Sequence, residues 1–181
     1  MAISGMLRAP APLRIQHDRA PFESGSEPLD TYLKQRASQD ARCGITQPYV
    51  IADHDLNVIG YHTLTSASID LADLPPSLAN KLPRHGTLGA TLIDRLAVDR
   101  KYQRQGIGAM LVADAVERAL HQNPTGTIAV VVDAIDDAAV AFYQTLGFIL
   151  LPEPGRRLFP SARFATASFE ITVESRSAPL A

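Results

Sequence analysis

The chain has 181 residues, 46% of them hydrophobic, enough for one globular domain that buries a core without staples. Seventeen Lys and Arg against nineteen Asp and Glu leave a formal charge of -2, which excludes a global basic field of the kind that advertises nucleic-acid binding. The lone Cys43 excludes an internal disulfide framework and a thiolate cluster and fits a reducing compartment, and the scattered His17, His54, His62, His85 and His121 lack zinc-type spacing, so no metal is expected.

Residues 1–12 hold no basic segment followed by a long apolar run, and Pro10 and Pro12 break what apolar character there is, so they read as a flexible tail. Nothing approaches the ~20 uninterrupted apolar residues of a membrane span. The expectation is a soluble, cytoplasmic protein with one domain over 13–173 and a second flexible tail over 174–181. Within the domain, "PLRIQHD" suggests a short strand and "PLDTYLKQRASQDARC" a helix entered after Pro28, with Leu29, Leu33 and Ala37 on one face. "PYVIADHDLNVIGYHTLTSASI" reads as a hairpin turning at Asp53–Asn57, "PPSLANKL" as one or two helical turns, and "TLGATLIDRLAVD" as a strand ending on Leu96 and Val98.

From Gln105 to about Gln122 the pattern is helical, with Ile107, Leu111, Ala115 and Ala119 forming the apolar stripe and Asn123 and Pro124 stopping it. "TIAVVVDA" is an unbroken apolar run suited to a buried central strand. Asp136 is placed to cap a helix that Gly147 ends, and "FILLP" and "RFATASFEITV" supply late strands. Together these elements predict an α/β (α+β) domain with a central mixed, mostly antiparallel sheet flanked by helices.

Gln103, Arg104, Gln105, Gly106, Ile107 and Gly108 fall between a strand and a helix. The first N–H groups of a helix lack internal partners and carry the positive end of its dipole, so they suit a phosphate or pyrophosphate, and the two glycines let it come close. The hexamer is neither a Walker loop, which needs Gly-Lys followed by Ser or Thr, nor a three-glycine dinucleotide fingerprint. The spacing [QR]xxGx[GA] arises in roughly one of a thousand windows by chance. Its weight comes from the strand before it, the amphipathic helix after it, and "AIDDAAVAFYQTLGF" some thirty-five residues on.

That conjunction resembles the GNAT superfamily of N-acetyltransferases over roughly Leu13 to Val173. The resemblance implies that Gln103–Gly108 bind the pyrophosphate of acetyl-CoA, that the backbone of Leu96, Ala97 and Val98 pairs with the pantetheine arm, and that Val98 N–H polarises the thioester carbonyl. It also implies that Tyr143 is the general acid. A phenol of pKa ~10 is protonated at neutral pH and can donate to a departing sulfur whose free-thiol pKa is ~8.5. Ala139, Phe142, Tyr143 and Leu146 share helical spacing, so the same tyrosine also fits a core position. Where many members of the family carry Asn, this chain has Asp136. No general base declares itself: Asp94, Asp99, Asp133 and Asp137 each fit surface charge or a helix cap as well as a catalytic role.

"LDTYLKQRA", "VIGYHTLTSASI", "IDRLAVDRKYQRQGIG" and "VVVDAIDDAAVAFYQTLGF" together resemble the GNAT toxins of bacterial toxin and antitoxin pairs. That likeness implies acetylation of the α-amino group of aminoacyl-tRNA, a ribbon-helix-helix antitoxin as partner, and a homodimer. Arg84, Arg95, Arg100, Lys101 and Arg104 form one basic group in the sequence and Arg156, Arg157 and Arg163 a second; either suits phosphates, or is simply solvated. A housekeeping acetyltransferase for a small amine or protein terminus, and an idle CoA-binding module, are the two other classes the sequence accommodates.

Overall fold

The computed structural model describes residues 8–80, 84, 86–122, 127, 129–152 and 155–160. In chain order they form β1 (Ala11–Pro12), α1 (Glu27–Thr31), a π-helical turn (Tyr32–Arg36), α2 (Ala37–Arg42), β2 (Gln47–Ala52), β3 (Val58–Asp70), α3 (Pro76–Ala79), β4 (Thr87–Val98), α4 (Ile107–His121), β5 (Ala129–Asp133), α5 (Asp137–Thr145), β6 (Phe148–Leu150) and β7 (Arg157–Pro160). The seven strands make one sheet in the order β1-β2-β3-β4-β5-β7-β6, mixed and flanked by helices, the α/β architecture the alternation of elements predicts. Two compact units share it: Met1–Ser66 with Ile93–Ala115, and Ala67–Leu92 with Val116–Ala181.

In the first unit, β1, β2 and β3 pair antiparallel, with Ala11 opposite Val50 and Tyr49 opposite His62. Neighbouring residues of a strand face opposite ways, and both faces here are apolar. Val50 and Ala97 join Phe22, Tyr32, Leu33, Ala37 and Tyr61 in one cluster. Ile51 and Val98 join Ile59, Ile107 and Leu111 in the other. The expected helical face is confirmed, since Leu33 and Ala37 are fully buried and Leu29 packs against them. The β2–β3 turn is closed by Asp53, whose carboxylate accepts from the N–H groups of Asp55 and Asn57. Gly60 lets α4 lie close on β3: a Cβ there would stand 3.0 Å from Leu111 Cδ1 and 3.2 Å from Ile107 Cγ2.

In the second unit, Ile69, Leu74, Leu88, Ala90, Ala129, Val131 and Leu151 form the core. Val130, Val131 and Val132 are fully buried, as the unbroken apolar run predicts. β5 pairs antiparallel with β7, Val132 opposite Leu158, and β7 with β6, Ile149 opposite Phe159. Strand β7 is absent from the sequence reading. Only Leu158 and Phe159 are apolar in it, so it has no alternation to detect, and its place follows from pairing alone.

Several boundaries move. Ala11 and Pro12, expected to close a tail, form β1, because their backbone pairs with β2. Helix α4 starts at Ile107 rather than Gln105, since Gly106 is left-handed at φ +84°. "PPSLANKL" supplies a single turn, α3. The strand expected over "RFATASFEITV", the stop at Asn123 and Pro124, Arg163 and the tail over 174–181 lie outside the described residues.

Candidate functional site

The hexamer begins five residues after β4 ends. Between them, buried Asp99 accepts from Lys101 N at 2.9 Å and from Glu23 N at 3.0 Å, while its own N–H donates to Ile59 O at 2.9 Å. It thus caps a short 3-10 turn (Arg100–Tyr102) and ties that turn to the Glu23 segment. Gln103 donates from Nε2 to Ser24 O at 2.8 Å and to Val98 O at 2.9 Å, so its side chain braces the loop against the strand end. Gln105 donates back to Lys101 O at 3.0 Å.

Arg104 and Gly106 both adopt left-handed backbone, at φ +59° and +84°. For Arg104 this costs roughly 1–2 kcal/mol, a strain that persists only where surrounding contacts impose it. A Cβ on Gly106 would meet nothing within 4 Å. Space for a ligand therefore lies over this backbone. Ile107, 1% exposed, plugs the start of α4 into the core of the first unit, and Gly106 O accepts from Met110 N at 3.1 Å. The loop consequently presents the first turn of a 15-residue helix, whose leading N–H groups have no acceptors within the helix. Ala97 and Val98 are buried and Leu96 packs beside them, so this stretch of β4 is anchored by its side chains.

Tyr143 lies on α5 in the second unit. Asp136 starts that helix by accepting from Ala139 N at 2.7 Å, and Gly147 ends it at φ +87°. Both roles match the sequence pattern. Tyr143 is 7% exposed, its ring 5.2 Å from that of Phe142 and 5.5 Å from that of Phe148. Burial pushes its phenol up from the ordinary tyrosine value, because the phenolate would lose its hydration. The group is protonated at any physiological pH.

The four carboxylates weighed as bases are all engaged. Asp94 pairs with Arg95, Asp99 caps its turn, Asp133 holds Arg157 in a two-bond fork at 2.7 and 2.8 Å, and Asp137 meets Arg156 at 2.9 Å. Those contacts also define the candidate arginines. Arg100 pairs with Glu23 at 3.0 Å, and Arg95 additionally lies over the Tyr32 ring, 3.9 Å from its centroid. Arg84 is exposed. Arg95, Arg100, Arg156 and Arg157 thus have carboxylate partners.

Two features leave no trace in the sequence: the Glu23–Gly25 segment as a support of the loop, and the pair between β3 and α4, His62 Nε2 to Asp114 Oδ2 at 2.8 Å. Spacing holds no signal for either, since 76 residues separate Glu23 from Asp99 and 52 separate His62 from Asp114.

The first unit thus offers a glycine-spaced loop at the start of a long helix, and the second a buried helical tyrosine, within one α/β protein. The family model described as "Acetyltransferase (GNAT) family" matches residues 12–148, and the chain belongs to that family. It is similar to a "tRNA-acetylating toxin" of Mycobacterium tuberculosis (strain ATCC 25618 / H37Rv), with 36% identity over 145 residues, 78% of this chain and 86% of the relative. Among solved structures it resembles AtaT complexed with acetyl-methionyl-tRNAfMet, at TM-score 0.81 and 29% identity over 90% of this chain and 99% of that one. It also resembles a mutant AtaT toxin bound to the C-terminus of the antitoxin AtaR and acetyl-CoA, at TM-score 0.75 and 25% identity over 92% and 98% of the two chains.

Proposed function

We propose that this acetyltransferase moves the acetyl group of acetyl-CoA to the α-amino group of aminoacyl-tRNA, blocking translation as the toxin of a cytoplasmic toxin–antitoxin pair. The observation that carries the cofactor assignment is the backbone around Gly106, left-handed and open on the side where a Cβ would stand, at the head of a helix anchored by Ile107. Its chemistry fits a pyrophosphate. Gln103, Arg104, Gln105, Gly106, Ile107 and Gly108 would hold that group, and the backbone of Leu96, Ala97 and Val98 the pantetheine arm. Acetyl-CoA supplies an activated thioester. Val98 N–H is assigned to the thioester oxygen, where negative charge develops.

Tyr143 is assigned as general acid: its proton passes to the departing sulfur as the amine forms the new amide bond. The buried phenol is protonated at physiological pH, the state a general acid must start from. The amine proton leaves to solvent. An α-amino group, of pKa near ~8 against ~10.4 for lysine, is appreciably neutral at physiological pH and makes little demand on a dedicated base. The engagement of Asp94, Asp99, Asp133 and Asp137 in caps and ion pairs agrees with that acceptor. The acetylating relative and the tRNA-bound and antitoxin-bound structural neighbours support the substrate class and the partner. The partner is proposed to be a ribbon-helix-helix antitoxin, and the assembly a homodimer, which a monomeric mass by light scattering would refute.

Labelled acetyl-CoA with bulk aminoacylated tRNA tests the proposal, the native protein run beside Tyr143→Phe. Label should enter charged tRNA, and the variant should lose at least about a hundredfold in rate. Bound acetyl-CoA without label in charged tRNA would redirect the assignment to small amines or an idle module.

A further inference from the structure

The helix that enters after Pro28 is interrupted. Ala37 N–H donates to Tyr32 O, five residues back, so one turn over Tyr32–Arg36 is π-helical between α1 and α2. Such turns are uncommon and concentrate at functional sites. This one delivers Tyr32, 5% exposed, into a set of fixed contacts: its hydroxyl is 2.9 Å from Thr46 Oγ1 and its ring stacks on Tyr61 at 6.4 Å. Tyr61 in turn donates to Leu29 O at 2.8 Å, locking the preceding turn of the helix.

The upper face of the Tyr32 ring carries the guanidinium of Arg95 at 3.9 Å. Arg95 is held from three sides: by the ring, by the Asp94 carboxylate, and through its backbone N–H, which donates to Thr63 Oγ1 at 3.1 Å. Its side chain is one-third exposed. The guanidinium carbon lies over the ring, and among the described residues its side-chain hydrogen bond runs from Nη1 to Asp94, leaving other N–H donors of the fork for a ligand. An immobilised, partly exposed fork is the arrangement that recognises a planar pair of oxyanion oxygens. Arg95 also immediately precedes Leu96, the first residue assigned to the pantetheine arm.

We propose that Tyr32 is a positioning residue and Arg95 the group it positions, forming a stacked guanidinium seat for a phosphodiester of the acceptor strand. This rests on the aminoacyl-tRNA reading above and narrows it to two residues. The π-helical turn has a function on this account: it rotates Tyr32 so that its face, rather than its edge, meets the guanidinium.

The test is steady-state acetyl transfer to aminoacyl-tRNA, with acetyl-CoA affinity measured separately by calorimetry, for Arg95→Gln, Arg95→Lys, Tyr32→Leu, Tyr32→Phe and the Tyr32→Leu, Arg95→Gln double variant. Arg95→Gln should raise the acceptor KM about tenfold, leave acetyl-CoA affinity within twofold, and lower the salt slope by about one. Tyr32→Leu should do the same. The double variant should be no more than about threefold worse than either single change, because both remove one unit. Tyr32→Phe keeps the ring and should recover most of the acceptor KM.

Arg95→Lys keeps the charge but loses the planar fork, and should behave like Arg95→Gln; a native KM there would overturn the proposal even if Tyr32→Leu fails to fold. Independent, multiplying effects of the two residues, or a change confined to melting temperature, would overturn it too. Native protein that transfers nothing to aminoacyl-tRNA would overturn the parent reading and this one together. Native turnover with undisturbed variants would overturn this one alone.

Discussion

Tyr143 and Tyr61 are both buried phenols pushed above the ordinary tyrosine range by loss of hydration, and Tyr32 is shifted the same way. Above about pH 10 the unfolded chain releases these protons while the folded chain retains them, so stability falls as pH rises past that value. Phenolate absorbance should therefore lag behind that of free tyrosine and complete only with unfolding. Tyr143→Phe should flatten the alkaline loss of stability, and an unchanged slope would show the phenol to be solvated. At the N-cap of α5, Asp136→Ala removes the acceptor for Ala139 N and should cost about 1 kcal/mol in denaturant unfolding. Asp136→Asn should be nearly neutral, because either side chain can cap. Both effects were legible in the residues, since a cap and a glycine stop act within four positions. The catalytic and core readings of Tyr143 were not separable there, because one helical spacing serves both.

Among the elements, α4 has a position that depends on a glycine of strand β3. Gly60→Val would drive a side chain into Leu111 and Ile107, 3.0 and 3.2 Å from the Cβ position. Overpacking of this kind costs roughly 1–3 kcal/mol. The head of α4 should shift, so the variant is expected to lose both melting temperature and acetyl-CoA affinity; a stable variant with native affinity would separate the helix from the proposed loop function. Gly106→Ala tests the loop itself. The φ of +84° strains any side chain by roughly 1–2 kcal/mol although the space is open, so calorimetry should record weaker acetyl-CoA binding beside a modest loss of stability. Periodicity made α4, α5 and β5 legible, because each buries residues at the spacing its geometry demands. The π-helical turn left no mark in the pattern: Leu29, Leu33 and Ala37 keep a four-residue repeat while one hydrogen bond slips to five.

On the scale of the whole molecule, a formal charge of -2 and the pairing of Arg100, Arg156 and Arg157 with carboxylates limit how many counterions a bound RNA can release. If two or three phosphates are contacted, affinity for charged tRNA should fall about ten- to fortyfold between 50 and 200 mM salt. A fall of a thousandfold would require a far more basic surface than these pairs leave. The hydrogen bond between fully buried His62 and partly buried Asp114 ties β3 to α4, so Asp114→Ala should destabilise by roughly 0.5–1.5 kcal/mol in denaturant unfolding.

By itself the sequence determined the α/β class, the strand and helix on either side of Gln103–Gly108, the cap at Asp136 and the stop at Gly147, because each depends on periodicity or on groups a few residues apart. Tertiary structure alone decided that Asp99 organises the loop with Glu23, that Gln103 spends its amide on Ser24 and Val98, that Arg95 rests on Tyr32, and that β7 is a strand. Those contacts join residues far apart in the chain, and which side chain meets which depends on the packing of the folded elements, not on any local spacing.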